Sequence, residues 1–233
     1  SRRIFFIVDR KVIVDEAYSR AQKLAKKLRE AEQGALFEIA KLLRAIGGEQ
    51  NPLRACELLG GIFRDETWVR SPMQPMVVAS TVDQVGSRLL FRGYGIPGNS
   101  QSIHAALIAN DSLLLLDEAH CSKPFAQTLE RVQSYRKAPW GEDPSNTPFA
   151  FVEMTATPSR TLVSAPFRLD AADRENEVLG ERLAARKMTR FVPVKAKTDE
   201  ARKLAADFVR VAKSMAEKPG VKRVAIMVNR VDN

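Results

Sequence analysis

Cysteine and histidine are scarce in this chain, with two of each among 233 residues. Cys56 and Cys121 are far apart and match no zinc-site spacing, and two cysteines make no disulfide framework. Both read as reduced packing residues of an intracellular, cytoplasmic protein. His104 and His120, as the only histidines, leave no His-Asp cluster for a metal nuclease. Long apolar runs are missing as well. None approaches the ~20 residues of a membrane span. The opening Ser-Arg-Arg-Ile-Phe-Phe-Ile-Val-Asp-Arg has basic then apolar residues, but too few apolar ones for a signal peptide. It reads as a strand, and without an initial methionine the chain is expected to begin inside a longer protein. Repeats and low-complexity tracts are also absent.

What is present is positive charge. Lys plus Arg number 37 against 28 Asp plus Glu, a net +9 with a pI near 9.8. That balance suits polyanion partners, through phosphate contacts and counterion release, but equally a plain basic surface. Apolar content is ordinary, so a sizeable core can be buried.

The apolar run Ile4–Val8 does not alternate in polarity, as in a strand covered on both faces. A helix follows with Ala17, Ala21, Leu24 and Leu28 on one face and Lys23, Lys26, Lys27 and Arg29 on another. A second helix over Ala35–Ile46 stops at Gly47-Gly48. After Gly60-Gly61 and a polar stretch to Trp68 come a strand at Pro75–Ala79 and a helix over Val82–Phe91. A short helix at Ile103–Ala109 precedes the apolar run Leu113–Leu116. Then follow a helix at Phe125–Tyr135, a loop at Ala138–Pro148 and a strand at Phe149–Met154. Strands alternating with helices predict an α/β fold, a parallel sheet with helices on both faces. Beyond Pro158 the pattern changes. Asp170–Met188 is charged and helical, Phe191–Val194 is short and apolar, and a helix from about Asp199 to Glu217 leads to a last strand at Val221–Val228.

Ligands of open parallel sheets bind beyond the carboxyl ends of the strands. Those ends here carry Asp9-Arg10, Ser80-Thr81, Asp117-Glu118 and Thr155-Ala156-Thr157. The tetrad Asp117-Glu118-Ala119-His120 would arise by chance in roughly one chain in a thousand of this length. A helix cap explains Asp117 alone, but not the tetrad. Adjacent acids after a strand can divide work: one serves a magnesium ion while the other orients and deprotonates an attacking water, as nucleoside triphosphate hydrolysis requires.

Asp117-Glu-Ala-His120 followed by Thr155-Ala-Thr157 resembles motifs II and III of superfamily 2 helicases of the DEAH type. The resemblance implies a RecA-like parallel sheet flanked by helices, with ATP and Mg²⁺ as cofactors and DNA as partner. It also implies that Asp117 serves Mg²⁺ through water, that Glu118 activates the hydrolytic water, and that His120 bonds toward Thr155 or Thr157. Thr155, Ala156 and Thr157 would couple nucleotide state to movement. By the same resemblance Arg10, Gly60, Gly61, Thr81 and Arg88 are nucleic-acid contacts, although each alone is equally a cap, a turn or a solvated face. Val224–Asn229 resembles the strand that opens a second RecA-like domain. Residues 1–166 would then be the first domain, 167–198 a linker and 199–233 the start of the second.

Ser80–Gly95, with Val12–Tyr18, His104-Ala105 and Asn110–Leu113, is similar to the CRISPR-associated helicase–nucleases of type I systems, in the branch called I-U or I-G. That similarity covers most of residues 4–160. It implies a 3′-to-5′ DNA translocase recruited to a CRISPR surveillance complex and coupled to an HD nuclease. A DNA-repair translocase of the same superfamily, or a nucleic-acid-binding helicase-like protein that does not hydrolyse ATP, are the alternatives. One departure bears on all of these. No Gly-x-x-x-x-Gly-Lys-[Ser/Thr] phosphate loop occurs within the chain, and Lys123 after Ser122 has no glycines to make one. A motor fragment lacking that strand is expected to have an incomplete sheet and no activity by itself. Trp68 and Trp140 read as loop anchors rather than stacking residues, and His104 as a packing or surface residue. Arg182, Arg186, Lys187 and Arg190 form a basic cluster suited to a strand or to solvent.

Overall fold

The computed structural model describes residues 1–48, 50–60, 66–136, 147–156, 167–186, 189, 191 and 200–227. The chain divides into two compact units, Ser1–Ala165 and Pro166–Asn233.

The first unit is an α/β fold around a five-stranded parallel sheet. Its strands are β1 (Arg3–Val8), β2 (Arg54–Leu58), β3 (Met76–Thr81), β4 (Ser112–Asp117) and β5 (Phe149–Met154), in the order β2-β3-β1-β4-β5. The helices are α1 (Lys11–Glu30), α2 (Gly34–Gly47), α3 (Thr67–Arg70), α4 (Val82–Leu89), α5 (Gln101–Ala109) and α6 (Lys123–Tyr135). The apolar runs form the inner strands, because only strands with neighbours on both sides can bury such residues with every backbone group paired. β2 was not anticipated. Arg54-Ala-Cys-Glu-Leu58 mixes charge with apolar residues because it lies at the sheet edge, where only Cys56 and Leu58 are buried.

One sheet face carries the main core. Phe5, Ile7, Leu114, Leu116, Met76 and Val78 pack there with Val85, Ile108, Phe125 and Leu129 of α4, α5 and α6. Each such side chain contributes about 1.5–3 kcal/mol by burial. Trp68, in the single turn α3, is fully buried in this core, its ring edge-on to Phe5 at 5.7 Å between centroids. The other face is thinner. Val14, Ala17 and Tyr18 of α1 pack on Phe6, Val8 and Ala79, while Val152 of β5 stays 46% exposed. Helix α2 ends as its glycines foretell: Gly48 adopts φ 67 and its N–H reaches the Arg44 carbonyl at 2.9 Å.

Arginines satisfy backbone carbonyls at the amino end of the sheet. The buried Arg3 donates from Nε to Leu107 O at 3.0 Å, from Nη1 to Pro72 O at 2.6 Å and from Nη2 to Asn110 O at 2.7 Å. Arg2 pairs with Asp111 at 2.6 Å. Arg136 donates to Ala109 O at 2.8 Å and lies over the Phe149 ring.

The second unit contains α7 (Ala171–Glu175), α8 (Glu177–Ala184) and α9 (Glu200–Ala216). The expected helix over Asp170–Met188 is broken at Asn176, which is extended and accepts the Leu179 N–H at 3.0 Å to cap α8. Residues 221–227 form no strand, contrary to the reading of Val221–Val228, and residue 228 lies outside the described residues. Among the described residues of this unit the run has no strand to pair with, and a lone strand is at best marginal in water. Among the described residues, no helix is long and apolar enough to cross a membrane.

Candidate functional site

The parallel register aligns the carboxyl ends of the strands along one rim. Val8 stands beside Thr81, and Asp117 beside Met154, so Thr155 emerges next to the residues that follow Asp117. After β4 the backbone turns sharply. Glu118 takes a left-handed conformation (φ 49, ψ 45), its N–H donating to Asp117 Oδ1 at 3.0 Å. A short 3₁₀ turn, Ala119–Cys121, buries Ala119 and exposes His120. The Ser122 carbonyl then accepts from Phe125 and Ala126 to start α6. A left-handed glutamate costs on the order of 1 kcal/mol, and such outliers concentrate where a side chain must be aimed.

The turn brings three groups together. His120 Nδ1 lies 3.0 Å from Thr155 Oγ1 and 3.2 Å from Glu118 Oε2. The Glu118–His120 contact was not foreseen from the sequence, because it depends on the left-handed turn. Ala156 follows Thr155 at the surface, and Thr157 lies outside the described residues.

The rim over β1, β3 and β2 carries different groups. Asp9 and Arg10 are exposed ahead of α1, and Lys11 Nζ reaches the Gly60 carbonyl at 3.5 Å. Thr81 is buried at the N-terminus of α4. Gly60 is exposed, with Gln84 Nε2 at 3.4 Å from where a Cβ would stand, while Gly61 lies outside the described residues. Arg88 does not sit on a solvated face. It is 4% exposed, and its Nη1 donates to the Gln84 carbonyl at 2.9 Å and to Gln84 Oε1 at 2.6 Å. Arg182 and Arg186 belong to the second unit, whereas Lys187 and Arg190 lie outside the described residues, as does Trp140.

Arg88 instead borders a cavity of about 10 Å³ lined also by Trp68, His104 and Glu66, sized for one water. His104 stacks edge-on to Trp68 at 5.1 Å. Burial pushes the His104 imidazole below its ordinary pKa, the Arg88 charge adds to this, and Glu66 opposes it. Trp68 thus anchors the core beside a histidine whose charged form is disfavoured.

No group of three or more His, Cys, Asp and Glu side chains able to hold a metal occurs among the described residues. Comparison with protein-family models, curated proteins and solved structures found no match to this chain.

Proposed function

We propose that the first unit is the first RecA-like domain of a DEAH-type superfamily 2 helicase, an ATP-driven DNA translocase, and that the chain is part of a CRISPR-associated type I helicase–nuclease. The observation that carries this reading is the His120–Thr155 contact of 3.0 Å, which ties the acidic turn after β4 to the end of β5. In this reading Asp117 would hold Mg²⁺ through water, and the ion would neutralise charge on the triphosphate. Glu118 orients the attacking water and takes its proton. His120, hydrogen-bonded to Thr155 and 3.2 Å from Glu118, transmits a shift of the β5 end to the base. The other half of the rim, with Arg10, Lys11, Gly60 and Thr81, offers cationic groups, a close backbone approach and a helix N-terminus to a phosphate backbone.

The missing phosphate loop means that the motor requires one from outside these 233 residues. The same absence favours a second reading, a nucleic-acid-binding protein of this fold that does not turn over ATP. A repair translocase differs from the CRISPR assignment only in its neighbouring domains. In the intact motor, Asp117→Asn should weaken Mg²⁺-dependent nucleotide binding about tenfold or more by calorimetry. Unaltered Mg²⁺ dependence overturns the assignment of Asp117.

A further inference from the structure

The turn between α4 and α5 has a conformation that core packing does not require. Helix α4 closes with Leu90 N–H on the Gly86 carbonyl at 3.0 Å, and with Arg92 and Gly93 N–H on the Ser87 carbonyl at 2.8 and 3.0 Å. This termination forces Phe91 to φ 58, a left-handed position that glycine or asparagine normally fills. The ring stays largely in solvent. Phe91 is 60% exposed, Tyr94 64% and Leu90 58%. Folding alone would select a glycine at residue 91.

The backbone between the rings is nevertheless fixed. Gly93 (φ 42) is so close to Ile96 that an added Cβ would stand 2.5 Å from Ile96 Cδ1. Ile96 N–H returns to the Gly93 carbonyl at 3.0 Å, and Gln101 Nε2 donates to the Arg92 carbonyl at 2.9 Å. Two aromatic rings are thus held outward on a constrained turn, with the exposed Arg92 between them. The sequence has no acidic residue from Gln84 to Asn110, and the nearest glutamates across the fold, Glu57 and Glu66, line the small cavity beside Ile96.

We infer that the Leu90–Gly95 turn is a stacking platform for single-stranded nucleic acid, bases lying on Phe91 and Tyr94 and a phosphate on Arg92. A ring offers its face to any base, and a guanidinium beside it serves the backbone, so the site needs no sequence preference. The turn follows an eight-residue helix that starts at Val82, just after Thr81, and runs about 12 Å along its axis. The inference rests on the nucleic-acid half of the proposed function and is independent of ATP turnover.

The test is fluorescence anisotropy at low salt with two labelled probes of equal length, an oligothymidylate and an abasic strand with the same phosphates. The native chain should bind the oligothymidylate about tenfold or more tightly than the abasic strand. Phe91→Gly and Tyr94→Ala should each lose most of that preference and leave abasic binding unchanged. Phe91→Gly should also melt no lower than the native chain, because glycine removes the backbone strain, so its loss of binding is not unfolding. Variants that keep the full preference overturn the platform while leaving general nucleic-acid binding intact. Equal binding of the two probes by the native chain does the same. Failure of the native chain to bind either probe overturns both this inference and the nucleic-acid half of the proposed function.

Discussion

At Glu118 the chain places a glutamate in a conformation it disfavours, and so aims the carboxylate at His120. Thr155→Val removes one of the two groups on His120 Nδ1 and leaves the acids untouched. In the intact motor this should lower nucleic-acid-stimulated ATP turnover by about tenfold, the scale of a typical coupling energy. Undiminished stimulation would show that the contact carries no coupling. His104 makes a separate prediction. Its folded pKa lies below its unfolded value near 6.5, so the unfolded chain takes up a proton first as pH falls. Stability should therefore be flat above about pH 6.5 and decline below it, and thermal melts of His104→Gln should lack that part of the decline. Asp111 acts at lower pH. Burial pushes its pKa up, but the hydrogen bonds and charges of Arg2, with Arg3, outweigh this and hold it below the ordinary value. Its contribution is present above about pH 4 and is lost on further acidification. Neither residue was legible as a titrating group, since the partners of His104 and Asp111 come from distant segments.

Among the elements, the inner strands were legible because Ile4–Val8 and Leu113–Leu116 can be buried in only a few ways. The acidic tetrad followed from its place after such a run. β2 was missed, as an edge strand needs little apolar character, and the expected strand Val221–Val228 is not formed over residues 221–227, which have no strand partner among the described residues. Both errors have one cause. Strand formation depends on a neighbour, which local composition does not report. The arginine contacts were equally invisible, because Arg3 reaches carbonyls contributed by two distant parts of the chain, Pro72 and the end of α5. Arg3→Met should cost about 2 kcal/mol in chemical denaturation, since it removes three charged hydrogen bonds from a buried guanidinium to part-buried carbonyls. Leu114→Ala, in the main core, should cost about 2–5 kcal/mol. If the two variants melted like the native chain, the packing described for the sheet would be wrong.

For the molecule as a whole, the two faces of the sheet are unequal. Three helices seal one face, while β5 at the edge leaves Val152 half in solvent. The net charge of +9 bears on the nucleic-acid partner: affinity for DNA should fall steeply as salt rises, and a flat response would remove the electrostatic contribution. The central claim concerns the acids after β4, and ATP turnover tests it most directly. The measurement compares the intact motor with its Glu118→Gln form at saturating nucleotide. Loss of a general base should lower turnover about 10²–10⁴-fold while the nucleotide dissociation constant stays the same. Equal turnover in the two forms would contradict the assignment of Glu118 as the base.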